Sequence, residues 1–208
     1  MLWETAVATV EFFFDCSSPW TYLAFERIEG VAERTGAELV WKPFLVGGVF
    51  NAVNQTVYET REKPNPRKQK HMHKDLADWA RYQGIKIGWP SVFPVRAVTP
   101  MRGALVALDN GCLPAYARAT FEAYWGDLKD ISQDDVMGEI CDKVGLSREI
   151  FAAGVASQDV KDRLRANTEE LIERGGFGSP TIFVNGNDMY FGNDRMPLIE
   201  AALSSQPR

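Results

Sequence analysis

The sequence VEFFFDCSSPWTYLA, residues 10–24, carries an apolar strand directly into a helix. The run before Asp15 is rich in aromatic residues, and Ser18-Pro19 then offers a helix cap followed by proline at the first helical position. Taken alone, Ser18 is an ordinary helix cap. Its hydroxyl also lies where the positive end of a helix dipole stabilises an anion. Motifs elsewhere in the chain indicate which of the two roles Ser18 has.

The remaining sequence reads as two groups of strands separated by helices. Strands are predicted at 7–15 and 38–44 on either side of a helix at 19–34, which Gly36 ends. A polar stretch at 54–66 reads as a loop. Further helices are expected at about 68–84, 99–110, 113–125, 132–144, 147–153 and 157–174.

Strands resume at 181–185 and 189–191, joined by the turn at 186–188, and a last helix begins near Asn193. The order is therefore β-α-β, then a helical block, then β-β-α. We predict an α/β domain formed by residues 1–46 and 176–208, interrupted by a large all-helical insertion at 47–175.

Composition and charge exclude several classes of partner. The chain has 208 residues, of which 45% are hydrophobic, enough for a sizeable core. A net charge of −5 argues against nucleic acid, and the one basic cluster, residues 61–74, reads as the solvated flank of a helix. No apolar run approaches the roughly 20 residues that cross a bilayer, and the N-terminus lacks a secretory pattern, so we expect a cytoplasmic protein without a membrane partner.

Cysteine and histidine usage points away from disulfides and metals. Cys16, Cys112 and Cys141 are odd in number and form no Cys-x-x-Cys pair, which fits a reducing compartment. Cys16 precedes the helix cap and is read as a small buried hydrophobe. His71 and His73 lie two residues apart on a predicted helix and point to different faces, so no metal site is predicted.

A second motif, Gly178-Ser179-Pro180-Thr181, stands where the strands resume. Most X-Pro bonds are trans. The order of elements, however, is that of a thioredoxin-like frame, in which the equivalent proline is cis, faces the helix start and turns the preceding backbone toward a bound peptide. In that frame Ser18 and Thr21 stand in the two positions of Cys-x-x-Cys, so sulfur chemistry here requires a thiol from outside, such as glutathione.

Four motifs extend the pattern over nearly the whole chain: FFDCSSPWTYLA at 13–24, PFLVGGVF at 43–50, GSPTIFV at 178–184 and FGNDRM at 191–196. In order and spacing they resemble the DsbA-like 2-hydroxychromene-2-carboxylate isomerases and their kappa-class glutathione transferase relatives. The resemblance implies a thioredoxin-like frame of the DsbA and kappa type with a helical insertion, glutathione as cofactor and a homodimer.

The resemblance also implies roles for residues at matching positions. Ser18 corresponds to the family's active-site serine, whose hydroxyl donates a hydrogen bond to the glutathione sulfur and, with the helix start, holds it as a thiolate. Ser179 and Pro180 would contact the cysteinyl backbone. Asn193 and Asp194 would receive the γ-glutamyl end, where a carboxylate suits the ligand's ammonium group.

Further positions are expected to line the two ligands. Lys68 matches a family lysine that faces glutathione or the substrate, and Asn54 lies where the family places an asparagine that binds glutathione. A substrate carboxylate requires a cation, and Arg96 and Arg102 lie in the segment after the first inserted helix. An aromatic wall is expected from Trp20, Trp89, Tyr124 and Trp125.

The sequence therefore predicts a glutathione-dependent isomerase of 2-hydroxychromene-2-carboxylate-like aromatic acids, with the thiolate as a recycled nucleophile. A kappa-like glutathione transferase or peroxidase would share the same thiolate site. A thioredoxin-like binding protein without chemistry is a third reading. A disulfide oxidoreductase is disfavoured, because neither Ser18 nor Thr21 forms a mixed disulfide.

Overall fold

A computed structural model describes residues 7–204; the parts of the predicted α/β domain at 1–6 and 205–208 lie outside the described residues. The described chain contains one four-stranded sheet in the order β2-β1-β3-β4. The strands are β1 (Thr9–Phe14), β2 (Glu38–Pro43), β3 (Thr181–Val184) and β4 (Asp188–Phe191).

Helices make up most of the rest. In chain order they are α1 (Pro19–Thr35), α2 (Val46–Val53), α3 (Thr56–Glu62), α4 (Pro66–Gln83), α5 (Val98–Asp109), α6 (Leu113–Phe121), α7 (Asp134–Val144), α8 (Arg148–Ala156), α9 (Gln158–Glu173) and α10 (Met196–Ser204). A π-helical turn, Glu122–Gly126, extends α6, and a 3-10 turn, Asn193–Arg195, precedes α10. Within residues 7–204, none of the helices combines the length and the apolar character that a membrane span requires.

The aromatic run of β1 explains why this strand lies in the middle of the sheet. β1 pairs in parallel with β2 and antiparallel with β3, and its three phenylalanines are completely buried. Because successive side chains of a strand point to opposite faces, Phe12 and Phe14 join the main core with α1, whereas Phe13 packs with Phe44 and Phe183 on the other face. A strand buried on both faces holds the chain that follows it, at the start of α1, in a fixed place.

The predicted β-α-β, helical block and β-β-α order is confirmed, and so is an α/β fold with inserted helices. The helix at 19–34 is α1, which ends at Gly36 with a φ of 69° in the left-handed region. The exact division into residues 1–46 with 176–208 and residues 47–175 stays a prediction.

The predicted loop at 54–66 is wrong, because α3 lies within it. A second helix, α2, lies between β2 and that segment, where the sequence predicted no element. α2 contains two glycines, which have low helix propensity, and the side chain of its N-cap residue, Leu45, makes no capping hydrogen bond. α3 has no buried residue, so it carries no apolar face that could reveal it as a helix.

Arg174 fastens the end of the helical block to the sheet. Its guanidinium carbon lies 3.7 Å from the centroid of the Phe183 ring, and its nitrogens lie 2.6 Å from a Glu170 oxygen and 2.5 Å from a Glu11 oxygen. It also donates to the Gly186 carbonyl at 2.9 Å. The chain leaves this anchor directly into the loop that leads to Ser179, so Arg174 helps to place that loop.

We predict that Arg174→Gln lowers the free energy of unfolding by about 2–3 kcal/mol, because it leaves the mostly buried Glu11 carboxylate unpaired. Arg34→Gln is the matched control, since Arg34 pairs with Glu200 on the surface and should cost less than about 1 kcal/mol. Urea denaturation of both variants measures the two values. Equal losses of unfolding free energy in the two variants would show that the ion pairs of Arg174 stabilise the fold no more than the surface pair of Arg34 does.

Candidate active site

The hydroxyl of Ser18 connects the start of α1 with the loop before β3. Ser18 Oγ accepts a hydrogen bond from the backbone N–H of Thr21 at 3.3 Å and donates one to the Ser179 carbonyl oxygen at 3.1 Å. The Ser179–Pro180 peptide bond is cis, as the frame predicted. Ser18 itself is half-buried, so its hydroxyl combines a fixed position with access from solvent.

Two buried hydroxyl groups strengthen this connection. Thr21 Oγ1 and Ser179 Oγ lie 2.7 Å apart, and Ser179 Oγ also accepts the backbone N–H of Asp15 at 3.1 Å. The Ser179 hydroxyl therefore makes both of these hydrogen bonds within the protein. Its backbone N–H, by contrast, finds no acceptor within residues 7–204, although Ser179 is only 7% exposed.

Asp15 holds the residues on both sides of the site. One of its carboxylate oxygens accepts the N–H of Ser17 and the other that of Val46, each at 2.8 Å, so the carboxylate fixes the start of α2. Burial raises the pKa of Asp15, although the two N–H donors oppose the rise. Because its folded pKa lies above its unfolded one, the stability from this group is complete below about pH 4 and diminishes as the pH rises through the folded pKa.

Cys16 is not placed to act as a nucleophile. Its thiol is completely buried, and burial raises its pKa well above the usual value, so the thiol stays protonated. The backbone of Cys16 has a different use. Its N–H donates to the Met101 sulfur at 3.3 Å, and its carbonyl accepts the indole N–H of Trp125 at 2.9 Å.

The turn before α10 lies beside Pro180. The β3–β4 pairing puts Phe191 opposite Thr181, and the Gly192 N–H donates to the Pro180 carbonyl at 3.3 Å. Asn193 is 4% exposed, and its side-chain nitrogen has no hydrogen-bond partner within the described chain. A buried donor without an acceptor is costly, so this amide is suited to a ligand atom.

The other three residues predicted to bind glutathione, Asp194, Asn54 and Lys68, differ in their surroundings. Asp194 is exposed next to Asn193 and pairs with Arg195 at 3.0 Å. The side-chain nitrogen of Asn54 donates to the Phe177 carbonyl at 3.0 Å, which places Asn54 at the loop that carries Ser179. Lys68 is exposed in the first turn of α4, and no ion partner for it occurs in residues 7–204.

The residues predicted to bind substrate are less closely grouped. Trp20 is half-buried in the first turn of α1, and no ring contact joins it to other aromatic residues between positions 7 and 204. Arg96 is exposed in the loop before α5. The guanidinium of Arg102 donates to the Val155 carbonyl of α8 at 3.5 Å. This hydrogen bond joins α5 to α8 and does not contact the start of α1.

An aromatic cluster adjoins the site through Trp125. The Trp89 ring lies 4.9 Å from Phe93 and 6.1 Å from Trp125, and Tyr124 lies 4.7 Å from Trp125, all measured between ring centroids. Trp125 then donates to the Cys16 carbonyl, two residues before Ser18. Of the predicted aromatic wall, Trp89, Tyr124 and Trp125 are therefore together; Phe93, which the sequence analysis did not include, joins them.

Histidine and acidic side chains do not suggest a metal centre in the part of the chain that is described. The His73 ring lies 4.9 Å from Trp89, and His71 is exposed on α4. Across residues 7–204, no three side chains of the metal-binding types His, Cys, Asp and Glu gather closely enough to hold an ion.

Known proteins resemble this chain along almost its whole length. The family model of the DSBA-like thioredoxin domain matches residues 9–204. The 2-hydroxychromene-2-carboxylate isomerase of Pseudomonas putida is 28% identical over 194 residues, which cover 93% of each protein. Glutathione S-transferase kappa 2 of Caenorhabditis elegans is 30% identical over 210 residues, covering 91% of this chain and 89% of that protein. A solved structure of a 2-hydroxychromene-2-carboxylate isomerase superimposes with a TM-score of 0.80 at 27% identity, over 94% of each chain.

We predict that Thr21→Val lowers the free energy of unfolding by about 1–2 kcal/mol, because it removes a buried hydrogen bond to Ser179 and keeps the shape of the side chain. Thr120→Val is the matched control. Thr120 is equally buried, but its hydroxyl bonds only to the Tyr116 carbonyl within its own helix. Thermal or urea unfolding gives the loss of unfolding free energy for each variant. A loss in Thr120→Val as large as the loss in Thr21→Val would contradict the prediction.

Proposed function

This chain belongs to the DSBA-like thioredoxin family, and we propose that it is a glutathione-dependent isomerase of 2-hydroxychromene-2-carboxylate-like aromatic acids. The observation that carries the proposal is a serine hydroxyl at the start of α1, in hydrogen-bond contact with the carbonyl of a residue that precedes a cis-proline. Relatives with the same overall structure are isomerases by name. Without a cysteine at position 18 or 21, the chain lacks the thiols of a disulfide oxidoreductase.

The residues present suit glutathione. The N–H of Ser179 is an available backbone donor for the cysteinyl residue of a peptide. The unpartnered amide of Asn193 and the exposed carboxylate of Asp194 suit the α-carboxylate and α-ammonium groups of a γ-glutamyl end. We expect Asn54, which follows α2, and Lys68, on α4, to approach the same ligand, the lysine through its positive charge.

Ser18 would stabilise the sulfur through its hydroxyl and its place on the helix. A hydroxyl has one hydrogen, so donation to a bound sulfur and donation to the Ser179 carbonyl are alternatives that a rotation of the side chain exchanges. The Thr21 N–H that donates to Ser18 Oγ polarises the hydroxyl and makes it a stronger donor. The positive end of the α1 dipole acts in the same direction and favours the thiolate.

When bound, glutathione supplies a thiolate that adds to the conjugated double bond of the acid and leaves once that bond has rotated, so that it is not consumed. The protein contributes an apolar face from Trp89 and Phe93, with the buried Trp125 packed behind them, against which a planar substrate packs. Arg96 and Lys68 add positive charge on the exposed side. Arg102 has no role in substrate binding here, because its guanidinium donates to the Val155 carbonyl of α8.

A kappa-like glutathione transferase is the second candidate, favoured by the 30% identity to a kappa-class relative. The two activities share the thiolate site and differ in what the acceptor does: an isomerase releases the thiol, whereas a transferase keeps the new carbon–sulfur bond. A conjugate that accumulates with a reactive aryl chloride, without isomerisation of the aromatic acid, would favour the transferase.

Location and assembly are part of the same proposal. We expect a homodimer acting on a small aromatic acid in the cytoplasm, by analogy with the family. Cys16, Cys112 and Cys141 are all free thiols in the structure, which suits a reducing compartment.

We predict that Ser18→Ala lowers kcat for glutathione-dependent isomerisation about 100-fold, because it removes a hydrogen-bond donor from the developing charge on sulfur. Ser17→Ala is the matched control, since the backbone N–H that Asp15 accepts from Ser17 remains. The loss of substrate absorbance, with and without glutathione, measures both rates. An unaltered rate in the Ser18 variant would contradict the proposal.

A further inference from the structure

Arg61, in the last turn of α3, links two separate parts of the helical insertion. Its guanidinium carbon lies 5.6 Å from the ring centroid of Phe50 on α2 and 5.4 Å from that of Phe93, in the loop before α5. Arg61 is exposed, and no carboxylate of residues 7–204 lies within ion-pair distance of it. The structure thus holds this cation between two rings and leaves its charge without a partner among the described residues.

Two chains of contact lead from the active-site loop to Arg61. Along the first, the Cys16 carbonyl accepts from Trp125, and the Trp125 ring lies 6.1 Å from Phe93. Along the second, Asp15 accepts the N–H of Val46, the first residue of the helix that carries Phe50. Both chains begin within three residues of Ser18 and meet at the guanidinium, so Arg61 lies at the far end of the aromatic cluster whose buried member, Trp125, contacts the site.

The charge of Arg61 also acts on the aromatic cluster. Burial raises the pKa of Tyr124, and the positive charge of Arg61 opposes that rise. Tyr124 donates to the Val92 carbonyl at 2.8 Å in the loop that also holds Phe93. The charge of Arg61 therefore reaches a buried member of the same aromatic cluster.

A guanidinium held over aromatic rings suits one kind of ligand group. Contact with a ring face uses the plane of the guanidinium and leaves N–H donors at its edge, which bind a carboxylate with two parallel hydrogen bonds. The neighbouring Trp89 is 43% exposed and offers a face on which a planar ring stacks. Cation and aromatic surface together match a flat molecule that ends in a carboxylate.

We propose that Arg61 binds the carboxylate of the aromatic acid and so determines specificity for acids; this inference rests on the proposed function and names the residue that recognises the acid group. Arg61 is better placed for this role than the two arginines chosen from the sequence. Arg102 hydrogen-bonds to α8, and among the described residues no cation–π contact is formed by Arg96. The basic segment 61–74, which reads as a solvated flank in the sequence, thus begins with a binding residue.

The test compares an acid with its neutral analogue. Binding of 2-naphthoate and of 2-naphthamide to the full chain is followed through tryptophan fluorescence, in wild type, Arg61→Gln and Arg61→Lys. In wild type we expect the acid to bind more tightly than the amide. In Arg61→Gln the dissociation constant of the acid should rise about tenfold while that of the amide changes less than about twofold; Arg61→Lys should fall in between, because lysine keeps the charge and loses the paired hydrogen bonds.

Arg165→Gln is the control for a general loss of positive charge, because Arg165 is exposed on α9 with an ion-pair distance of 4.0 Å to Asp162. It should leave both dissociation constants unchanged. The inference is overturned if Arg61→Gln keeps the full preference for the acid, or if wild type has no such preference.

Kinetics separate this inference from the proposed function. If wild type isomerises the aromatic acid with glutathione, Arg61→Gln should raise KM for the acid about tenfold and leave KM for glutathione unchanged. An unchanged KM for the acid would overturn the role of Arg61 and leave the isomerase standing. A wild type that prefers naphthoate through Arg61 but catalyses no isomerisation would overturn the proposed reaction and support the acid site.

Discussion

The structure depends on a pair of hydrogen bonds between the start of α1 and the loop before β3. Ser18 donates to the carbonyl of Ser179 at 3.1 Å, and the Thr21 hydroxyl lies 2.7 Å from that of Ser179. These contacts join segments about 160 residues apart, and they occupy the two positions where a thioredoxin-like disulfide would stand. Oxygen in place of sulfur removes the redox chemistry of that position, and in the proposed function an external thiol is the reactive group.

The end of β1 brings the two halves of the molecule together at this point. Asp15 accepts the N–H of Val46 and thereby fixes α2, and the Cys16 carbonyl accepts the indole of Trp125 and fixes the aromatic cluster. A strand buried on both faces holds these two residues, so the apolar surface of the insertion and the helix start keep a constant relation. In the proposed function, the sheet and α1 position the thiol, and the aromatic cluster lies next to the acceptor.

Local rules explain which features were predictable. The run of phenylalanines in β1, the Ser18 cap and the left-handed Gly36 each follow from a few neighbouring residues, and the cis-proline follows once the order of elements is known. The helix at Val46–Val53 was not predictable, because its first turn is held by a distant carboxylate rather than by its own cap. The position of Arg61 between two rings was not predictable either, because Phe50 and Phe93 come from segments on either side of α4.

The pKa of the glutathione thiol, bound to wild type and to Ser18→Ala, tests the central claim most directly. Thiolate absorbance near 240 nm, followed during a pH titration of each complex, gives both values. We predict a pKa well below the roughly 8.5 of a free cysteine thiol in wild type, and a value at least about one unit higher in the variant. Equal pKa values in the two complexes would contradict the claim that Ser18 stabilises the sulfur of an external thiol.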